Sequence, residues 1–383
     1  MTISSYRMIA SPIIASIAFV MELTLVPLLL PIIQSDYNLT IGDVAWFFNS
    51  YGIAVATGVI AGGWISDIVG ARKVFSIGVL MFVLGSSAIV LAGGFETIIV
   101  GRILQGFGGG LYSPLVPLLL TKALPKRPGK ILIIWGSLTG YAAAFAPLAA
   151  GWAIGLLGWQ SVFVFFAILA GASLAMSFER TSQTSEPVVR NSPNLRLLFH
   201  GHDLWLVFGY IFCTYGAITY YLFSLPLRLT DYNIGAGALG FIIASIWLSF
   251  SVASTLLRNW VDSFHISKIV LVAPLLITAS FFVVYYSNQM PFLILSAVLM
   301  GAGFACSNAP STQLVLKFAP EGLKAIAVSL DITFARLGGV ATVTLLAHFD
   351  FSISLAYVIV LSLLASTFAL IFLDKGRLSG RVQ

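Results

Sequence analysis

The sequence predicts an all-α polytopic membrane protein of twelve transmembrane helices, built as two six-helix bundles related by a pseudo-twofold axis. Three observations predict it. First, 59% of the 383 residues are hydrophobic and 9% are charged, with a mean hydropathy of +0.99. Soluble domains carry roughly 25% charged residues, so this chain cannot face water over its whole surface. Second, the chain repeats itself at an offset of 195 positions, which carries Pro31 onto Pro226. At that offset Asp36-Tyr37-Asn38 meets Asp231-Tyr232-Asn233, Asp67 meets Asp262 and Lys73 meets Lys268. Gly106 and Gly108 meet Gly301 and Gly303, and Pro125 meets Pro320, with no gap needed. Such a register marks a duplicated unit. Third, basic residues collect on alternate connections. Arg7, Arg72, Lys73, the cluster Lys122 to Lys130, Arg180, Arg190, Arg196, Arg258, Lys268, Lys317, Lys324 and the tail residues Lys375, Arg377 and Arg381 share one side. The opposite connections hold Asp36, Asp43, Glu96, Asp231 and Asp350, with Arg228 as their one basic residue. The positive-inside rule then puts both termini in the cytoplasm.

Apolar runs near 8–33, 41–66, 74–94, 97–121, 130–156, 160–178, 204–229, 235–257, 267–287, 290–316, 323–347 and 351–373 mark the spans. Each needs about 20 residues, because backbone groups in hydrocarbon must bond internally. They divide the chain into a bundle over 1–178, a cytoplasmic linker over 179–203 rich in Ser, Pro, Asn and charge, and a bundle over 204–383. No stretch remains for a soluble catalytic domain, so an enzyme is not expected. The net charge of +6 reads as a topology signal rather than a nucleic-acid footprint. Span 1 is too long for a signal peptide and carries Glu22 midway, so it is expected to be retained. Cys213 and Cys306 lie inside spans and imply no disulfide. Asn38-Leu39-Thr40 fits a glycosylation acceptor only in a loop too short to serve as one. His200 and His202 lack acidic or Cys companions and read as solvated linker, not as a metal site.

Taken in order, span 1 runs Met21-Glu22-Leu23-Thr24 and on to Leu30-Pro31. At 1.5 Å per residue Glu22 sits roughly 15–20 Å from either end. A carboxylate at that depth is unfavourable unless paired, hydrated or protonated. That suits a group which loads and releases protons; the alternative is a polar packing residue satisfied by its neighbours. The run resembles the helix-1 motif of the drug:proton antiporter branch of the major facilitator superfamily, with Glu22 in the acidic position.

Span 2 opens with Trp46, Phe47, Phe48 and Tyr51, then places Gly58 and Gly62 at a spacing that lets helix backbones approach. The aromatics read as an interfacial belt, or, for Tyr51 together with Tyr112 of span 4, as substrate-cavity residues. Gly62 to Lys73 reads as a tight cytoplasmic loop. In it Gly70 can take positive φ, and Asp67 can pair with Arg72 or with a facing helix N-terminus. The loop resembles the superfamily signature G-x-L-x-D-R-x-G-R-K at Gly63, Asp67, Gly70, Arg72 and Lys73, with Ile68 where the family has Arg. The resemblance implies a gating loop, echoed in the second half by Asp262 and Lys268.

Span 4 begins Gly101-Arg102-Ile103-Leu104-Gln105-Gly106, which resembles the family's R-x-x-Q-G motif without departure. Arg102 either snorkels to water or points inward, where its permanent charge would help expel a proton from the acid of span 1. Gly106 and Gly110 read as helix-packing positions; their run follows no strand, which argues against a nucleotide cradle. In span 5, Phe145-Ala146-Pro147-Leu148-Ala149-Ala150-Gly151 is similar to the antiporter motif G-P-x-x-G-G, with Ala146 and Ala150 replacing glycines. Pro147 should kink the helix and Gly151 should allow close packing against span 8 or its neighbours. Gly158-Trp159-Gln160 likewise resembles the family's connection between helices 5 and 6.

The second half repeats the plan without the first half's ion pair, since Glu22 maps onto Ala217 and Arg102 onto Ala297. Span 7 instead offers Tyr215, Tyr220 and Tyr221, and span 10 offers Ser307 and Asn308. These suit an organic substrate with hydrogen-bonding groups, or equally helix–helix contacts. Span 11 carries Asp331 and Arg336, the latter opening an R-x-G-G run that resembles the same family region. The two lie about 140° apart around a helix, so they are not an obvious pair. Arg336 either anchors an anionic substrate or reaches towards span 1, and Asp331 is an independent proton-site candidate.

On this reading the chain is a proton-coupled secondary transporter that exports a small organic compound by alternating access. Glu22, Arg102, Asp331 and Arg336 are its coupling candidates, and it needs no cofactor beyond the proton gradient. Its expected partners are protons, a small organic substrate and the bilayer of the cytoplasmic (inner) membrane, with no nucleic acid, and it is expected to be a monomer. Two other readings stay open: a symporter or facilitator importing an organic anion, which Arg102 and Arg336 suit, and a transport-inactive membrane sensor. For an enzyme there is no His-Glu zinc pattern, no Gly-x-Ser-x-Gly and no phosphate-cradling loop.

Overall fold

A chain this apolar must close its backbone hydrogen bonds within each segment, and it does so as helices. The computed structural model describes residues 3–177, 198, 201–230, 232, 234–261 and 266–379. The described residues form thirteen helices: α1 Ile3–Asp36, α2 Ile41–Val69, α3 Ala71–Val90, α4 Phe95–Tyr112, α5 Leu115–Ala123, α6 Pro128–Leu157 and α7 Gln160–Ser177. After the linker come α8 His202–Thr230, α9 Ala236–Val261, α10 Ile266–Tyr286, α11 Met290–Phe318, α12 Lys324–Leu346 and α13 Phe351–Ser379. Eleven are long and apolar enough to cross a membrane alone, and α4 with α5, bent by 42°, makes the twelfth. The single run read at 97–121 is therefore broken. Pro114, which caps α5, has no N–H to continue the helix.

The connection between α2 and α3 is shorter than its charges suggest. Residues 62–69 complete α2 and 71–73 begin α3, so Gly70 alone is non-helical. Its φ of 93° and ψ of 138° lie where side chains other than glycine's are strained, and its N–H still bonds the Ser66 carbonyl at 3.0 Å. At the other end of α2, Thr40 and Asp43 form a reciprocal capping box, with bonds of 3.2 and 3.0 Å. The threonine of the Asn38-Leu39-Thr40 triplet thus starts a helix, and Asn38 turns the chain at φ 49°.

Packing divides the chain into two units: Met1–Arg190 with Gly235–Phe241, and Asn191–Ile234 with Ile242–Gln383. In the first, α4 runs against both α2 and α3 with glycines at the crossings. A Cβ on Gly106 would lie 2.6 Å from the Tyr51 carbonyl, and one on Gly62 2.6 Å from that of Leu111. On the α3 side a Cβ on Gly101 would lie 2.8 Å from the Gly85 carbonyl, and one on Gly110 would strike the Val55 carbonyl of α2. The glycine run of span 4 therefore exists for backbone contact. Across α6, a Cβ on Gly151 would lie 2.8 Å from the Ala236 carbonyl, and one on Gly240 2.5 Å from that of Pro147, so span 5 packs on the start of span 8.

In the second unit Phe208 stacks on Phe334 at 4.9 Å, and a Cβ on Gly338 would strike the Phe212 carbonyl, which joins α8 to α12. Asp262 and the linker, apart from 198 and 201–203, lie outside the described residues.

Candidate functional site

The close approach of α4 to its neighbours carries Arg102, about two turns into that helix, onto the middle of α1. Its Nη1 donates to Glu22 Oε1 at 2.6 Å and to Gln105 Oε1 at 2.8 Å, and its Nε donates to the Phe47 carbonyl at 3.3 Å. The guanidinium lies over the rings of Phe47 and Tyr51, 4.8 and 4.3 Å from their centroids. Gln105 Nε2 donates in turn to Ser86 Oγ at 3.1 Å, and Ser86 to the Phe82 carbonyl at 2.8 Å. Both charged side chains are 1% exposed. The snorkelling reading of Arg102 is overturned; the inward one describes where it is. Glu22 Oε2 has no hydrogen-bond partner among the described residues. A buried carboxylate with one oxygen held by a cation and the other bare has a place where a proton can sit.

Several predicted cavity residues turn out to be packing residues. Tyr112 is fully buried among Phe19, Phe75 and Phe82, and its hydroxyl donates to the Ala15 carbonyl at 3.0 Å. Tyr220 donates to Ser354 Oγ at 2.7 Å, Tyr221 bonds Ser296 Oγ at 2.6 Å, and Ser307 donates to Thr214 Oγ1 at 3.1 Å, all of them buried. Tyr51 serves the Arg102 site with its ring. The physical reason is common to all: a hydroxyl in hydrocarbon needs a partner, and the next helix supplies it. Tyr215 and Asn308 differ, being half-buried and joined by a 2.6 Å bond from the tyrosine hydroxyl to Asn308 Oδ1. Asp331 is buried and accepts from Thr312 Oγ1 at 2.6 Å. Arg336, five residues further along α12, is half-buried.

At the α2–α3 joint the expected pairing of Asp67 with Arg72 is not formed. Asp67 is exposed and makes no hydrogen bond or ion pair among the described residues. Arg72 Nη2 reaches the Ser177 carbonyl at the end of α7, 3.5 Å away, because the break at Gly70 turns α3 from the line of α2. The Gly63 carbonyl accepts from Ser66 Oγ at 2.9 Å, and Lys73 and Lys268 are exposed. Arg228, in the last turn of α8, holds its guanidinium 4.1 Å from the Phe351 centroid. Sequence reasoning missed Ser86 and the Phe47 carbonyl, neither of which carries any signal, whereas Gln105 was visible inside its motif. Among the described residues no three His, Cys, Asp or Glu side chains gather to hold a metal.

The sequence profile described as Major Facilitator Superfamily matches residues 13–343. Among curated proteins the chain is similar to the "Multidrug resistance protein B homolog" of Mycobacterium tuberculosis, 33% identical over 153 residues, which are 40% of this chain and 28% of that protein. It is similar too to the "Tetracenomycin C resistance and export protein" of Streptomyces glaucescens, 36% identical over 146 residues, 37% of this chain and 27% of that one. The matched stretches thus span under a third of either relative. Among solved structures it is similar to the nucleoside transporter NupG, with a TM-score of 0.78 at 12% identity over 96% of this chain and 99% of that one. The D-xylose-proton symporter gives 0.73 at 17% identity, over 97% of both. At such identities the likeness is one of fold.

Proposed function

The chain belongs to the Major Facilitator Superfamily, and from that premise we propose that it is a secondary active transporter exporting a small organic compound, a drug or a metabolite, in exchange for protons. The observation that carries the reading is the buried Glu22–Arg102 pair with its bare second oxygen. While Glu22 is ionised, the charge-assisted bond ties α1 to α4. A proton arriving at Oε2 removes the counter-charge of Arg102, which keeps Gln105, the Phe47 carbonyl and two ring faces. The α1–α4 tie then weakens, so the protonation state of one carboxyl biases which way the protein opens. Loading from outside and release inside would drive alternating access. The names of the drug-resistance and export relatives support the outward direction. The basic helix ends at Lys122, Lys317 and Lys324 support both termini lying in the cytoplasm; on this reading the chain sits in the cytoplasmic membrane and works as a monomer.

The deciding experiment uses inside-out vesicles carrying wild-type chain or Glu22→Gln at matched amounts, energised by a proton gradient and supplied with ethidium. The wild type should accumulate the dye, and the variant should only equilibrate it. Equal, gradient-dependent accumulation by both would refute the role of Glu22. Intact cells that on expression gain rather than lose an anionic dye such as fluorescein would instead support the importing alternative, a symporter or facilitator for an organic anion.

A further inference from the structure

The crossing of α9 and α11 brings together a group of side chains that the proton pathway does not use. A Cβ on Gly301 would strike the Ile246 carbonyl, so the two backbones touch, and Ser249 Oγ donates across to the Val298 carbonyl at 2.7 Å. That contact sets Phe250 against Phe304 at 4.7 Å and Trp247 edge-on to Phe304 at 5.7 Å. From α8, Tyr215 meets Phe304 edge-on at 5.5 Å. Phe250, Phe304, Tyr215 and Asn308 are each half-buried, so the cluster keeps open ring surface. Trp247 is only 7% exposed, yet its Nε1–H finds no acceptor among the described residues. Buried indole N–H groups ordinarily have a partner, and a missing one is a deficit that an incoming acceptor removes. The Asn308 carbonyl is already taken by Tyr215, which leaves its amide as a second donor. Asp331 is engaged by Thr312. The unused polar groups are therefore donors, set beside aromatic faces.

We propose that Tyr215, Trp247, Phe250, Phe304 and Asn308 form a recognition site for a flat aromatic group bearing a carbonyl or phenolic oxygen. Ring faces take the aromatic plane, and the Trp247 and Asn308 N–H groups take the oxygen. The site rests on the transporter reading only for its occupant being cargo; binding itself does not depend on proton coupling.

Equilibrium binding to the full chain in lipid nanodiscs tests it, read by the fluorescence anisotropy of two probes. Doxorubicin offers a flat ring system with carbonyl and phenolic oxygens, and proflavine offers a flat ring system with neither. Trp247→Phe should weaken doxorubicin about five- to tenfold, the share of one hydrogen bond, and leave proflavine within twofold. Phe304→Leu should weaken both. Because Trp247→Phe removes an unsatisfied donor, its unfolding temperature should not fall, which separates recognition from mere packing. No saturable doxorubicin binding by the wild type, or unchanged affinity in Trp247→Phe, overturns the site. Glu22→Gln should retain saturable doxorubicin binding, whatever it does to transport. Should that variant bind normally and also keep gradient-driven transport, the coupling reading falls and this site stands.

Discussion

Glu22 and Arg102 hold each other in a place from which water is excluded, so each is the condition for burying the other. Removing one member of such a pair leaves an uncompensated charge and costs about 3–5 kcal/mol, whereas replacing both with apolar side chains of similar size is often neutral. Arg102→Met alone should therefore lower the unfolding temperature clearly. The double variant Glu22→Leu with Arg102→Met should recover most of the loss while remaining unable to couple transport to protons. Thermal unfolding monitored by intrinsic fluorescence, beside the vesicle assay, checks both halves; a double variant no more stable than the single would show that the pair is not the unit of stability. Asp331 offers the contrast. Its carboxylate already accepts from Thr312 at 2.6 Å, so Asp331→Asn should keep gradient-driven transport where Glu22→Gln loses it, and the reverse result would move the proton site to α12. At this scale the ion pair was legible because a charge inside a twenty-residue apolar run demands a reason. The tyrosines were not. A hydroxyl turned to a neighbouring helix and one turned to a cavity leave the same letter at the same spacing, and only Tyr215 remained half-open.

Helices here are joined and crossed through glycine, for two different reasons. Gly70 is required by its backbone angles, and a side chain at φ 93° is strained by about 1–3 kcal/mol; Gly70→Ala should lower the unfolding temperature and slow transport. Gly106 is required by space. Gly106→Val would drive α4 off α2 and cost about 1–3 kcal/mol or more. Gly155→Ala, with no neighbouring atom within 4 Å of the new methyl, should be tolerated. Size-exclusion profiles of the three variants in mild detergent order them: Gly155→Ala as wild type, the other two with less monodisperse protein. Apolar runs located every span to within a few residues. The stretch 62–73 was misread as a loop because its charges announce water, and a helix emerging from lipid can continue through Asp, Arg and Lys. The break at Pro114 was hidden because both sides of it are apolar.

For the whole molecule, the repeat at one offset made the duplicated plan legible, and the one-sided loss of the acid and the arginine pointed to the half that holds the buried ion pair. Topology can be read directly, since Cys213 and Cys306 are both buried and should be silent to thiol reagents. A membrane-impermeant maleimide applied to intact cells should label Gly94→Cys and not Glu321→Cys, and inside-out vesicles should reverse the pattern. Labelling of both from one side would dismiss the assigned orientation. What the chain's letters conceal is which helices are free to shift. At the glycine crossings of α4 with α2 and α3, peptide groups press against peptide groups and leave little room to rearrange. Three rods clamped along their spines have one arrangement and should behave as a fixed post, giving up their amide protons last in hydrogen-exchange measurements. The acid sits on α1, outside that clamp, and its arginine sits on it. Each proton cycle would then amount to unfastening a hinged member from an immovable one.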